Sequence, residues 1–224
     1  MGALDLDYVL GLAPTLLSYV PVTLAMAAGA MALALALAMA LALVRVARVP
    51  VVDALARLFI SFFRGTPLLV QLFLFYYGLP QVIPAFTAMN GVTAAVMGLT
   101  LHFSAYMAES IRAAILGVDR SQWEASRAVG MTEGQALRRT ILPQAARVAA
   151  PTLVNYFIDV IKSTSLAFTL GVTELMGAAQ KEAAGSFRYF EAFVLVALIY
   201  WVIVEALSFA QRRLEGRLNR AFAR

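Results

Sequence analysis

Long apolar runs alternate with short polar intervals along this chain, and the runs set its architecture. Residues 22–44 carry no charge, a run longer than the roughly 20 residues a helix needs to cross a hydrocarbon core. Its Ala-Leu alternation imitates a strand, but its length and alanine's strong helix propensity decide for helix. Four further apolar segments follow, giving five expected spans at about 16–44, 56–79, 92–115, 148–170 and 189–210. With no long linker and no internal repeat, residues 1–224 read as a single all-α membrane domain of five transmembrane helices.

Composition and charge sharpen that picture. Of the residues, 62% are hydrophobic and only 14% charged, far from the balance of a soluble domain. Cysteine is absent, which excludes disulfides and thiolate metal sites. The net charge of +5 does not point to nucleic acid, because the arginines recur beside apolar spans instead of forming one basic face. Arg45, Arg48, Arg57 and Arg64 follow the first span; Arg112, Arg120, Arg127, Arg138, Arg139 and Arg147 surround one polar block; Arg212, Arg213, Arg217, Arg220 and Arg224 form the tail. These fifteen of the eighteen basic residues fall on one side of a five-span chain, and the positive-inside rule makes that side cytoplasmic. The amino terminus is then outside and the carboxyl terminus in the cytoplasm. Asp5 and Asp7 precede the first span with no Lys or Arg before Arg45, so the span lacks the basic flank of a cleaved signal and is expected to be retained.

The polar block, residues 122–148, reads QWEASRAVGMTEGQALRRTILPQAARV. Ser121-Gln122-Trp123-Glu124 has the spacing of a capping box, predicting a helix from about Gln122. Gly130 suits the left-handed residue that closes such a helix, and Thr132-Glu133-Gly134-Gln135 offers a second box. The segment is therefore expected to be helix, glycine turn, helix, a pattern equally open to an ordinary hairpin at the membrane surface.

No chemistry-bearing constellation accompanies it. A phosphate-binding loop needs glycines and a lysine before Ser or Thr; the single Lys-Ser/Thr pair, Lys162-Ser163, has Ile161 and Tyr156 where those glycines belong. His102 is the sole histidine, and no metal-ligand cluster or catalytic triad is evident. The chain is expected to be non-catalytic, with no cofactor of its own.

Glu124-Ala125-Ser126, Gly130 four residues later and Leu142-Pro143 twelve residues after that glycine resemble the EAA loop of ABC importer permeases. Three other stretches resemble the polar amino-acid branch of that family, the histidine/glutamine permease type: FRGTPLLVQLFLFYYGLP at 63–80, SAYMAESIRAAI at 104–115 and IKSTSLAFTLGVTEL at 161–175. Within the branch the phrases are most similar to those of cystine permeases. The resemblance covers about residues 59–200 and implies a type I ABC importer permease in the bacterial cytoplasmic (inner) membrane. The implied partners are a cytosolic ABC ATPase dimer that binds ATP and Mg²⁺, a second permease subunit, identical or paralogous, and an external solute-binding protein. Membrane lipid and an amino-acid substrate complete the set. Residues 121–143 become the cytoplasmic coupling loop, with Glu124, Ala125, Ser126, Gly130, Met131 and Thr132 facing the ATPase. An ion-gradient-driven secondary transporter has no need of such a loop, and a non-transporting scaffold has no need of charges within a span.

Those charges are Asp159 and Lys162, and ionisable groups inside a membrane raise a functional hypothesis by default. Their i,i+3 spacing puts them on one helix face. They either neutralise each other as a buried pair or leave Lys162 to position an anionic substrate group, with Ser163, Thr164 and Ser165 supplying hydroxyls. Many relatives read Lys-Asp-Thr-Ser-Leu where this chain has Ser163; without that carboxylate, a neutral or zwitterionic substrate is favoured over a basic one, cystine being the specific expectation. Gln71, with Arg64 and Ser61, is expected to form a polar stripe on one helix, opened by Pro67. Tyr156 and His102 complete the candidate path, His102 being open to a simple packing role. Glu109 and Arg112 are expected to pair, and Tyr76, Tyr77, Tyr200 and Trp201 to occupy interfacial belts.

Overall fold

The structure, a computed structural model, describes residues 5–220, with side chains as far as Arg213. Arg217, Arg220 and Arg224 of the expected basic tail lie outside the described side chains. Among the described residues every regular element is helical. In chain order these are α1 (Leu6–Leu17), α2 (Val20–Ala47), α3 (Pro50–Gly65), α4 (Leu68–Phe73), α5 (Leu79–Val82), α6 (Gly91–Leu116), α7 (Arg120–Ala128), α8 (Glu133–Ala136), α9 (Leu142–Ser163), α10 (Leu175–Ser186) and α11 (Tyr189–Arg220).

The apolar run at 22–44 is a helix, as expected. Its buried positions include Ala27, Ala30, Ala34, Ala38 and Ala42, each fully enclosed, while Leu33 faces outward. A row of alanines at three- and four-residue spacing is the small-residue face that lets membrane helices approach closely. The alternation in the sequence is thus a helical stripe.

Three helices are long and apolar enough to cross a membrane: Val20–Ala47, Gly91–Leu116 and the stretch Tyr189–Arg213. A fourth span results if α3 and residues Leu68–Val82 count as one bent element. The span expected at 148–170 is α9 followed by a 3-10 segment, Thr164–Leu170; Asp159, Lys162 and Asn155 dilute its apolar character, and it falls outside that group. The expected span at 56–79 is broken. Thr66, ahead of Pro67, has φ −119° and ψ 145°, the extended geometry a following proline imposes. Arg64 and Ser61 therefore lie on α3 and Gln71 on α4, and the single polar stripe expected for them does not form.

Two prolines have a second effect. Pro80 and Pro143 each follow a π-helical segment by two residues, Leu74–Gly78 and Leu137–Ile141 respectively. A proline lacks the N–H and its ring crowds the carbonyl four residues back; a widened turn accommodates both defects.

The chain folds as two compact units. One comprises Met1–Met31, Leu68–Leu99 and Phe157–Arg224. Leu12 and Leu16 of α1 are buried there with Leu175, Ala179, Ala183, Leu195 and Ile199, and a second core gathers Met26, Leu72, Ala94, Ala95, Ala167 and Leu170. The other comprises Ala32–Pro67 and Thr100–Tyr156, with Ile60, Phe63, Met107, Ile111, Ile115 and Ile141 buried.

Within the first unit, α1 is tied down at its start. The Asp5 carboxylate accepts the Tyr8 N–H at 3.0 Å as helix cap and pairs with the Arg188 guanidinium, which also stacks 4.7 Å above the Tyr8 ring. The hydrogen bond from Arg188 holds the Asp5 carboxyl below its ordinary value. A depressed carboxyl contributes stability that is full above its unfolded value and lost as pH falls through the folded one. Amide exchange in Leu6–Leu17 is therefore expected to accelerate selectively once the pH drops below the ordinary carboxylate range, and Asp5→Asn to remove that step.

Candidate functional site

The polar block folds as two short helices around a glycine. α7 begins at Arg120, earlier than expected, because the Asp119 carboxylate caps it by accepting the Ser121 N–H at 2.8 Å. That bond holds the Asp119 carboxyl below its ordinary value. The capping box expected at Ser121 and Glu124 is therefore not used; Glu124 pairs instead with Arg120 at 3.3 Å. α7 ends at Ala128 with Val129 as its cap, and Gly130 follows with φ +81°, the left-handed conformation glycine adopts without steric penalty. The second box forms as expected: the Gln135 N–H donates to Thr132 Oγ1 at 3.3 Å and the Thr132 N–H to Gln135 Oε1 at 3.0 Å.

Side chains lock the two halves. Ser126, buried, donates to the Gln122 carbonyl at 2.8 Å and lies 3.1 Å from the Thr140 hydroxyl. Arg127 crosses the turn to Glu133 at 2.7 Å. Gln144 donates to Gln122 at 3.2 Å. Glu124, Ala125, Gly130 and Thr132 remain exposed and Met131 partly so, and a Cβ added at Gly130 would meet no atom within 4 Å. The turn thus offers a rigid, small-residue surface, open at Gly130.

On α9, Lys162 Nζ and Asp159 Oδ1 are 2.7 Å apart, one helical turn along the same face. The pair is half-exposed, with side-chain exposures of 55% and 49%, not the buried pair that was one of the two expectations. Beyond Ser163 the helix tightens into the 3-10 turns of Thr164–Leu170 and stops at Gly171, φ +77°. The hydroxyls serve this transition: Thr164 donates to the Ile161 carbonyl at 2.7 Å, Ser165 to that of Lys162 at 2.6 Å and Thr169 to that of Leu166 at 2.7 Å. Carbonyls that a change of helix type leaves without their usual partners are thereby satisfied. Thr164 is fully buried, so of the expected hydroxyl run only Ser163 and Ser165 are accessible beside Lys162.

Each remaining candidate has a setting of its own. Gln71 is buried on α4. Tyr156 shares a hydrogen bond with Ser110 at 3.1 Å. His102 lies beside two aromatic rings, 5.2 Å from Phe103 and 5.1 Å from Tyr106. Glu109 and Arg112 pair at 2.7 Å, as expected.

One buried network was not anticipated. Glu174, fully enclosed, caps α10 by accepting the Gly177 N–H on Oε1 at 2.8 Å. Its Oε2 accepts the hydroxyls of Thr23 at 3.2 Å and Tyr200 at 3.1 Å, and Thr23 in turn accepts the Leu175 N–H at 3.1 Å. Tyr200 is therefore an internal donor and not the interfacial residue expected, whereas Trp201 beside it is exposed. A glutamate immediately before an apolar helix start was the available signal.

Comparison with known proteins agrees with this architecture. Residues 32–220 match the family model described as "Binding-protein-dependent transport system inner membrane component". The chain is 61% identical over 220 residues to the probable amino-acid ABC transporter permease protein PatM of Vibrio harveyi, covering 98% of this chain and 99% of PatM. It is 36% identical over 226 residues to the L-cystine transport system permease protein TcyL of Bacillus subtilis (strain 168), covering 97% and 93%. Among solved structures, the crystal structure of an amino acid ABC transporter with histidines superposes with a TM-score of 0.89 at 34% identity, covering 97% of this chain and all of that one. The chain belongs to the inner-membrane components of binding-protein-dependent transport systems, as a permease subunit of an amino-acid ABC importer.

Proposed function

We propose that this permease carries a neutral or zwitterionic amino acid, with cystine the best-supported candidate, through a path that includes Lys162, Ser163 and Ser165. The observation that carries this reading is the occupied charge at Asp159. It is the single carboxylate between residues 157 and 170, and Lys162 already holds it at 2.7 Å. A cationic side chain would meet the lysine's own charge there, whereas an α-carboxylate can share the ammonium. Similarity to the L-cystine permease TcyL supports the specific candidate, and the relative crystallised with histidines supports the broader class. Asp159, Thr164, Gln71, Tyr156 and His102 shape the surrounding helices in this reading.

The remaining parts follow the family. Two permease subunits, identical or paralogous, enclose the path, a solute-binding protein delivers substrate from outside, and two cytosolic ATPases hold ATP and Mg²⁺. The coupling loop at 121–143 docks on them through Glu124, Ala125, Gly130, Met131 and Thr132, while Ser126, expected on that surface, is buried and braces the turn from inside. The chain forms one permease domain with five spans, α9 and its 3-10 extension providing the fourth, an external amino terminus and a cytoplasmic carboxyl terminus. Membrane-impermeant labelling of tags at both ends tests this topology: the outer tag reacts in intact cells and the inner one only after lysis, while two cytosolic ends would reject five spans.

Substrate class is tested by Ser163→Asp. A new carboxylate one residue from Lys162 supplies the missing cation partner, so direct ligand binding to the purified permease should show arginine gaining about tenfold relative to cystine, on the order of one charge-assisted contact. Wild-type protein that already binds arginine more tightly than cystine would overturn the charge argument.

A further inference from the structure

In the second unit, four arginines converge. Arg45 in the last turn of α2, Arg48 just beyond it, Arg57 on α3 and Arg112 on α6 line a cavity of ≈ 330 Å³ together with Asp53. Two carboxylates serve them. Asp53 accepts from Arg45 at 2.8 Å and from Arg57 at 2.6 Å, and Glu109 holds Arg112 at 2.7 Å. Four guanidinium groups against two carboxylates leave an excess of two positive charges. The Asp53 carboxylate is taken by Arg45 and Arg57, and Arg48 acts on it only through its charge.

One detail marks the cluster as incomplete. The Arg45 Nε is buried without a hydrogen-bond acceptor; Glu109 Oε1 lies 3.5 Å away, beyond the 2.7–2.9 Å or so of a charge-assisted bond. A buried donor left in that state is unfavourable. Arg48 adopts φ +55°, a left-handed conformation disfavoured for a side chain with a Cβ. The left-handed turn closes α2, the Arg48 N–H donating to the Val44 carbonyl at 3.1 Å ahead of Pro50, and it sets Arg48 beside the pocket; the unsatisfied Arg45 donor is met by an anion with several acceptor oxygens. Arginine's planar fork matches phosphate in particular.

We infer that this pocket binds a phosphate-bearing anion, supplied in the membrane by the headgroup of an anionic lipid. The cluster begins where the 28-residue apolar helix Val20–Ala47 ends, the depth at which headgroups lie, and basic pockets between spans on the cytoplasmic side recognise such groups. The inference depends on the membrane placement of α2 and not on which amino acid is carried.

The test uses the full chain purified in a zwitterionic detergent and titrated separately with phosphatidylglycerol, phosphatidylcholine and inorganic phosphate. Bound lipid is counted by native mass spectrometry, and thermal stability is followed in parallel. The informative variant is R48N/R57Q: asparagine tolerates the left-handed backbone, and Asp53 keeps Arg45. R212Q/R213Q removes the same charge from the end of α11. Wild type should retain phosphatidylglycerol over phosphatidylcholine, and R48N/R57Q should bind it about 25-fold more weakly, roughly fivefold per arginine, with the control close to wild type. Stabilisation by inorganic phosphate that competes with the lipid and disappears in R48N/R57Q would identify free phosphate as a ligand of the same site. Equal retention of the two lipids with no response to phosphate, or undiminished binding by R48N/R57Q, would overturn the inference. If the double variant does not fold, Arg48→Asn alone decides, since Asp53 then stays held by Arg45 and Arg57.

Discussion

Gly130→Arg is expected to leave the protein in the membrane and to abolish ATP-coupled uptake. Two effects combine at this position, and they are separable. The first is conformational: at φ +81° any residue with a Cβ is disfavoured by roughly 1–2 kcal/mol, which loosens the turn between α7 and α8 without touching the apolar helices that govern insertion. The second is steric and electrostatic. A Cβ here meets no neighbouring atom within 4 Å, so the position opens outward and a long cationic side chain has room to project into a docking surface. Gly130→Ala carries the first effect alone and should keep substantial uptake; Gly130→Arg carries both and should keep none. Reconstitution with the cognate ATPase and binding protein measures uptake, and copurification reports docking. Normal uptake and normal substrate-stimulated hydrolysis by the arginine variant would remove Gly130 from the coupling surface.

The contrast between what this loop's sequence announced and what the rest concealed has a physical basis. Gly130, the Thr132–Gln135 box and the break before Pro67 are local: each follows from a steric or hydrogen-bonding demand spanning no more than four residues. The misplaced start of α7 was also local, but two caps competed. The carboxylate of Asp119 reaches the Ser121 N–H, and Arg120 engages Glu124, leaving Ser121 no box to build. α1 and α10, at 12 residues each, are too short to register as spans and are helical because they bury one face against α11 and each other. The Glu174 network was beyond reach for a different reason. Thr23 is 151 residues from Glu174, and Tyr200 is 26 beyond it. No periodicity links such positions. A tyrosine followed by tryptophan in an apolar helix reads as an interfacial belt, and only tertiary packing turns Tyr200 inward while Trp201 faces out.

That network carries the second large effect: Glu174→Ala should be among the most destabilising single substitutions in the chain. It removes the cap of α10, the bond from the Gly177 N–H, worth about 1 kcal/mol, and strips the acceptor from the hydroxyls of Thr23 and Tyr200. Each buried donor left without an acceptor is unfavourable by about 1–3 kcal/mol, so an overall loss of several kcal/mol is expected. The surroundings cannot close over the gap easily, because Gly177 is already so tightly packed that a Cβ there would sit 2.4 Å from the Val172 carbonyl oxygen. Glu174→Gln keeps one carbonyl oxygen, and the Tyr200 hydroxyl can turn to accept from the new amide, so it should lose far less. Tyr200→Phe deletes a donor and its acceptor bond together and should fall between wild type and alanine. Thermal unfolding of the three purified variants in lipid nanodiscs gives the order, wild type above glutamine and phenylalanine, and alanine lowest. The same residues join α2, α10 and α11 immediately after the Thr164–Leu170 segment that follows Lys162. A double variant, Glu174→Gln with Tyr200→Phe, should accordingly be less destabilised than the sum of the singles, since the shared bond is lost only once. Strict additivity would mean that the carboxylate and the phenol act independently and that the network is not a unit.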